Sequence, residues 1–217
     1  LTVSRWSVWP PLTDSGTTPK DDLRPDVSFV SAMMRRRLST LSRMAFRVAA
    51  DCLLDEVEPV RHIYCSRYGE YGRNFGILED LAADEPVSAA AFSMSVHNTA
   101  TSLFAIETKD TAPSTALAGG EATLETAFLE AWSQLCADPH GRILIVYHDE
   151  TLPNLYCGQE TTVRSNSAFA MLVSPADAAA ARPILRLGWH ARSQDAPQPS
   201  PPGDPSLEVM SLLLSDG

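Results

Sequence analysis

Residues 113–147 hold the pattern that most constrains the fold. Residues 113–118 read as a short strand, Gly119 and Gly120 as a sharp turn, residues 121–136 as the clearest helix in the chain, and residues 142–147 as a continuous apolar run. Leu124, Ala127, Phe128, Ala131, Trp132 and Leu135 fall on one face of that helix. A continuous apolar strand is one covered on both faces. A helix of this length between two strands is the crossover that a sheet with helices on its faces requires. The predicted class is α/β.

The rest of the chain fits that class. Residues 6–9 alternate bulky and polar side chains, as an opening strand does, and residues 13–25 have loop composition. Helical spacing runs over residues 28–57 and predicts two helices, the second capped by Ser39 or Ser42 and stopped by Pro59, with Met33, Met34 and Met44 as core filler. A short strand over 60–65 is followed by a helix over 68–83 with Phe75, Leu78 and Leu81 apolar. Residues 89–96 are mixed, and residues 98–108 are helical through Leu103 and Ile106. Two further strands are expected at 168–173 and 183–187. Residues 194–205 carry five prolines and read as a linker, and 206–214 as an apolar patch that prefers to dock. One domain over 1–193 and a tail over 194–217 result.

Composition removes several classes of function. The 217 residues carry 17 Lys and Arg against 27 Asp and Glu, a formal charge of −10, so no basic field exists for sequence-independent nucleic-acid binding. No apolar run approaches the roughly 20 residues of a membrane-spanning helix. No secretory signal is read at Leu1, and a cytoplasmic protein is expected. Cys52, Cys65, Cys136 and Cys157 are isolated, without metal-ligand spacing, so they are expected to be reduced, with no metal and no cofactor.

The turn at Ala118, Gly119 and Gly120 has a physical use. A side chain there is thrust out beside the positive end of a helix, where a thiol pKa falls or a developing anion is supported. None of the three residues carries a nucleophilic atom.

Four ordered segments, residues 33–53 (MMRRRLSTLSRMAFRVAADCL), 64–73 (YCSRYGEYGR), 92–105 (FSMSVHNTATSLFA) and 115–132 (TALAGGEATLETAFLEAW), resemble the N-terminal half of a β-ketoacyl synthase of the thiolase-like fold. More narrowly, they resemble the short chain-length-factor-like proteins of aryl polyene biosynthesis. The resemblance spans about residues 5–190 and implies a thiolase-like half, a mixed five-stranded sheet with helices packed on its faces. It places the family's catalytic cysteine at Ala118, Gly119 or Gly120, so that position is vacant here, and the family's histidine pair belongs to a C-terminal lobe that has no counterpart in these residues. It therefore implies a non-catalytic subunit that dimerises with a catalytic β-ketoacyl synthase in fatty acid or polyketide-type chain elongation, with an acyl carrier protein as a further candidate partner. The interface strand would be Ser114, Thr115, Ala116, Leu117 and Ala118. Phe104, Ile106 and Thr108 would close the partner's acyl tunnel.

Other features have plainer readings. His97 and Asn98, with Asp149 or Glu150 and a nearby Ser, suggest a triad, but no Gly-x-Ser-x-Gly elbow accompanies them, and a structural histidine that fixes a loop is favoured. His148, Asp149 and Glu150 read as a solvated loop rather than a metal site. Arg35, Arg36 and Arg37 read as a solvated helix face, although carrier-protein docking uses such patches. Cys65 reads as a buried small hydrophobe. Two alternatives stand beside the subunit: an enzyme condensing or hydrolysing thioesters through His97 or Cys65, and a scaffold binding acyl carriers.

Overall fold

Alternation along the central strands sets the architecture. In this computed structural model, which describes residues 1–10, 24–156, 165–176 and 185, strand β2 (Arg61–Cys65) sends His62 and Tyr64 to one face and Ile63 and Cys65 to the other. Strand β4 (Ile143–Asp149) does the same with Leu144 and Val146 against Ile143, Ile145 and Tyr147. Every residue of β4 is buried, as its unbroken apolar run requires.

Among the described residues five strands form one sheet. β1 (Thr2–Trp9) and β5 (Ser167–Ser174) complete the antiparallel side, β3 (Ser114–Leu117) the parallel side, and the spatial order is β1-β5-β4-β2-β3. β2 pairs in parallel with both β3 and β4, with Ile63 opposite Thr115 and Ile145, while β5 runs antiparallel to β4 and β1. The mixed α/β sheet agrees with expectation. β1 starts earlier than the alternation at 6–9 indicates, because pairing with β5 extends it back to Thr2.

The helices divide between the two faces. α1 (Ala32–Arg35) and α2 (Thr40–Leu53) come first, and Ser39 caps α2 by accepting from the Ser42 N–H at 3.0 Å. α2 lays Met44, Ala45, Val48, Ala49 and Cys52, all fully buried, on one sheet face. α5 (Thr99–Thr108) covers that face beside it, with Phe104 edge-on to Phe46 at 5.1 Å. α6 (Thr123–Ala137) covers the opposite face through Leu124, Ala127, Phe128, Ala131 and Leu135. Each large side chain buried in this way stabilises by roughly 2–3 kcal/mol.

Several expectations need correction. Among the described residues only Ala32–Arg35 is helical before α2, and Met33 is 69% exposed, so it is not core filler, unlike Met34 and Met44. α3 (Tyr71–Ala82) begins after a turn at 66–70 and buries Ile77, whereas Leu78 and Leu81 face outward. Residues 89–93 form a short helix, α4 (Ala89–Ser93). Trp132 is half exposed, because the buried stripe of α6 is narrower than its apolar one. His148 and Asp149 are not a solvated loop: they are the last two residues of β4, each 1% exposed. The Ala-rich segment at 177–181, the linker and the apolar tail lie outside the described residues, as does the strand expected at 183–187 except for Leu185. The N–H of Leu185 donates to the Leu1 carbonyl at 2.8 Å. Among the described residues no helix is long and apolar enough to cross a membrane.

Candidate functional site

The turn after β3 is the first component. Gly119 follows the strand with φ −126°, and Gly120 takes φ +61°, a conformation that L side chains rarely adopt. Residues Gly120–Ala122 form one 3-10 turn that leads into α6. The Thr123 hydroxyl closes the turn: it accepts from Gly119 N–H at 3.0 Å and donates to Gly120 O at 2.7 Å. A Cβ on Gly119 would stand 2.5 Å from Thr126 Oγ1 and 2.9 Å from Ala122 O. The turn thus holds no reactive atom, and at Gly119 it has no space for one.

β3 is an edge strand. Its residues Ser114, Thr115, Ala116 and Leu117 pair with β2 on one side only among the described residues, and each is partly or fully exposed. Ala118 lies just past its end. On neighbouring α5, Phe104 and Ile106 point in opposite senses. Phe104 is 1% exposed among Phe46, His62 and Tyr64, whereas Ile106 is 66% exposed. The Thr108 hydroxyl donates to Phe104 O at 2.8 Å. Phe104 and Thr108 line a hollow of about 510 Å³ at the start of β2, together with His62 and Asp110. His62 Nε2 stands 3.2 Å from Asp110 Oδ2 without hydrogen-bond alignment. Burial lowers the imidazole pKa there, against the pull of the Asp110 carboxylate.

At the other end of the parallel strands the chain brings Ser66, His97 and Asp149 together. Their connections are not those of a nucleophilic triad. Ser66 Oγ donates to Asp149 Oδ1 at 2.7 Å and accepts from Gly69 N–H at 2.7 Å, while His97 Nε2 lies 2.8 Å from the Ser66 carbonyl. Among the described residues no imidazole is placed to take the Ser66 proton, and Ser66 is wholly buried. Burial raises the Asp149 pKa, and hydrogen bonds from Ser66, Tyr147 and the Arg67 and Tyr68 main chain oppose that shift. Asn98 lies exposed at the start of α5, its amide donating to Ser102 Oγ at 3.3 Å.

Glu70, which sequence reasoning passed over, and Glu150, which it placed in a solvated loop, complete this cluster. Glu70 is 2% exposed and accepts from the hydroxyls of Ser39 (2.7 Å) and Ser42 (2.6 Å), with Arg73 Nε 3.3 Å away. Burial first, and then the charge of Glu70, push the Glu150 pKa up to about 7. Burial, and then the charge of His97, push the pKa of the buried His148 imidazole down to about 4, against main-chain hydrogen bonds at Val146 and Cys65. Nothing in the pattern around Glu70 marks it as buried, because Ser39 and Ser42, whose hydroxyls bond it, lie 31 and 28 residues away. Among the described residues no group of three or more His, Cys, Asp or Glu is placed to hold a metal ion.

The buried thiols, Cys52 and Cys65, are not set up as nucleophiles. Cys65 is fully buried and its pKa is raised well above the ordinary thiol value by burial and then by Asp149; burial pushes Cys52 up to about 12. Cys136 is exposed at the end of α6.

Comparison with known proteins accords with this geometry. The family model for the β-ketoacyl synthase N-terminal domain matches residues 6–216. No curated protein matches the chain. Among solved structures, a chain of the ketosynthase (ApeO) in complex with its chain length factor (ApeC) from Xenorhabdus doucetiae is 26% identical, with TM-score 0.71, over 82% of this chain and 81% of that one. The ishigamide ketosynthase/chain length factor is 19% identical, TM-score 0.59, over 80% of this chain and 53% of that one. A β-ketoacyl synthase from Burkholderia phymatum STM815 is 12% identical, TM-score 0.51, over 72% and 47%. The last two share the fold, and this chain spans about half of each.

Proposed function

Because the chain belongs to the β-ketoacyl synthase N-terminal domain family, we propose that it is a non-catalytic, chain-length-factor-like subunit that pairs with a catalytic β-ketoacyl synthase during aryl-polyene-type chain elongation in the cytoplasm. One observation carries this reading: the turn that would present the family's nucleophile holds Ala118, Gly119 and Gly120, and a side chain at Gly119 would collide with Thr126 and the Ala122 carbonyl. The family's condensation needs a thiolate to take up the acyl group. Cys52 and Cys65 are buried and held protonated, so the thioester enzyme acting through Cys65 is the weaker reading.

Two further features support a partner. The unpaired edge of β3 offers main-chain donors and acceptors to a second sheet, and short edge strands of this kind are where chains associate. The matched chain of the ApeO/ApeC complex is about as long as this one, since nearly equal shares of the two chains align. In this reading Ser114–Leu117 forms the contact, and Ile106 with Thr108 faces the partner's acyl channel, while Phe104 supports them from within the core.

Co-expression with a catalytic ketosynthase tests the proposal. The two chains should co-purify, and product should form only with the partner's own cysteine intact. A cysteine-dependent burst of product from this chain alone would establish an enzyme instead. A monomer that binds an acyl carrier but no ketosynthase would establish a scaffold.

A further inference from the structure

The described arginines fall into two groups. Arg5, Arg47, Arg61, Arg67, Arg73 and Arg142 each stand within ion-pair distance of a carboxylate. Among the described residues, Arg24, Arg35, Arg36, Arg37 and Arg43 have no such partner. The unpaired group is concentrated in one place, on a chain whose formal charge is −10.

Four of the five line a single hollow of about 490 Å³: Arg24 from the segment before α1, Arg35 at the end of α1, Arg36 just after it, and Arg43 from the first turns of α2, with Ala32 and Leu38 as its apolar wall. Arg43 is fixed there, because one of its terminal nitrogens donates to the Arg35 carbonyl. Its Nε is buried and lacks a hydrogen-bond partner. Burial, and then the like charges of Arg24 and Arg35, hold the Arg43 guanidinium below its ordinary pKa, so the cluster repels itself. Asp26 forms no ion pair with the cluster. It feels the charge of Arg35 but lies outside ion-pair distance, and its oxygens accept from Ser28 N–H at 2.9 Å and from the Ser28 hydroxyl at 3.3 Å.

We propose that the hollow between Arg24, Arg35, Arg36 and Arg43 binds a small phosphorylated ligand. Planar guanidinium forks match phosphate oxygens two at a time, and a phosphate ester brings the negative charge that the cluster lacks among the described residues. The space exceeds that of a bare ion, so the Ala32 and Leu38 wall accommodates an organic arm. The inference stands apart from the ketosynthase partner, since every residue it uses belongs to this chain and none lies on β3.

Calorimetric titration of the full chain with inorganic pyrophosphate, and separately with ribose 5-phosphate, tests it at low ionic strength. Saturable binding is expected, weakening by about tenfold or more in the Arg24→Ala/Arg36→Ala double variant, and unchanged in Arg61→Ala, whose arginine is already paired with Asp138. Arg24 and Arg36 are exposed, so the double variant should fold, as circular dichroism will verify, and Arg35→Gln provides a second variant with the same expected loss. Absence of saturable binding, or binding untouched by both variants, overturns the proposal. So does binding of a pentaglutamate peptide in place of both phosphates, which would make the hollow a docking surface for an acidic protein.

Discussion

Gly119 and Thr126 are in contact so close that only a hydrogen fits between them: a Cβ on the glycine would lie 2.5 Å from the threonine Oγ1. Thr126 cannot easily withdraw, because its hydroxyl is held by the Ala122 carbonyl at 2.7 Å. Gly119→Ala should therefore destabilise by about 1–3 kcal/mol, the usual cost of overpacking. Thr126→Ala in the same chain should recover part of that loss but not all, because the Ala122 carbonyl stays 2.9 Å from the new carbon. Urea unfolding of the two variants and their combination measures both. For the same reason Gly119→Cys should not restore a nucleophile, and its thiol should yield no acyl-enzyme.

Glu150 and His148 should make opposite contributions to stability as pH changes. The Glu150 pKa is raised in the folded protein, from 4.5 to about 7, so the native state holds the extra proton and stability falls as pH rises through that interval. The His148 pKa is lowered, from 6.5 to about 4, so there the unfolded chain holds the extra proton and stability rises with pH between 4 and 6.5. Above pH 6.5 only the glutamate term is left. Glu150→Gln should thus stabilise at pH 8 by about 1–3 kcal/mol and change little at pH 4, as denaturation midpoints at the two pH values will show. Equal effects at both would mean that Glu150 does not bind the proton.

The central strands and the helices α2 and α6 are legible because their signals are local. The stripe on α6 and the run in β4 follow from one helical period and one unbroken apolar segment. That Ala118, Gly119 and Gly120 carry no nucleophilic atom is equally plain from their identities. Other features depend on distant residues. Asp149 ends the buried strand β4, and its burial is compensated by Ser66, 83 residues earlier, which donates to it. Leu78 and Leu81 show that an apolar stripe does not say what covers it. The arginine run at 35–37 looked like one solvated face, yet Arg35 and Arg36 share a hollow with Arg24 and Arg43 that only the turn between α1 and α2 creates.

Thiol labelling should follow burial. In the folded protein an alkylating reagent should modify Cys136 quickly, while Cys52 and Cys65, both wholly buried and protonated, should react only after denaturant is added. Peptide mapping by mass spectrometry identifies which thiol has reacted. Rapid modification of Cys65 in the native chain would revive the enzyme acting through that residue.

Phe104 and Ile106 sit two positions apart on α5 and should respond oppositely to truncation. Phe104 fills the core against Phe46, so Phe104→Ala should cost about 3–5 kcal/mol and lower the thermal midpoint whether or not a partner is present. Ile106 projects from the surface, so Ile106→Ala should stay within about 0.5 kcal/mol of the parent in stability. Its effect should show in the assembled complex: if Ile106 bounds the partner's acyl channel, removing three carbons there should lengthen the product, read by mass spectrometry of the released chains. A stable complex with Ile106→Ala that makes product of unaltered length would exclude Ile106 from the channel, and the pairing itself would still be measured by co-purification.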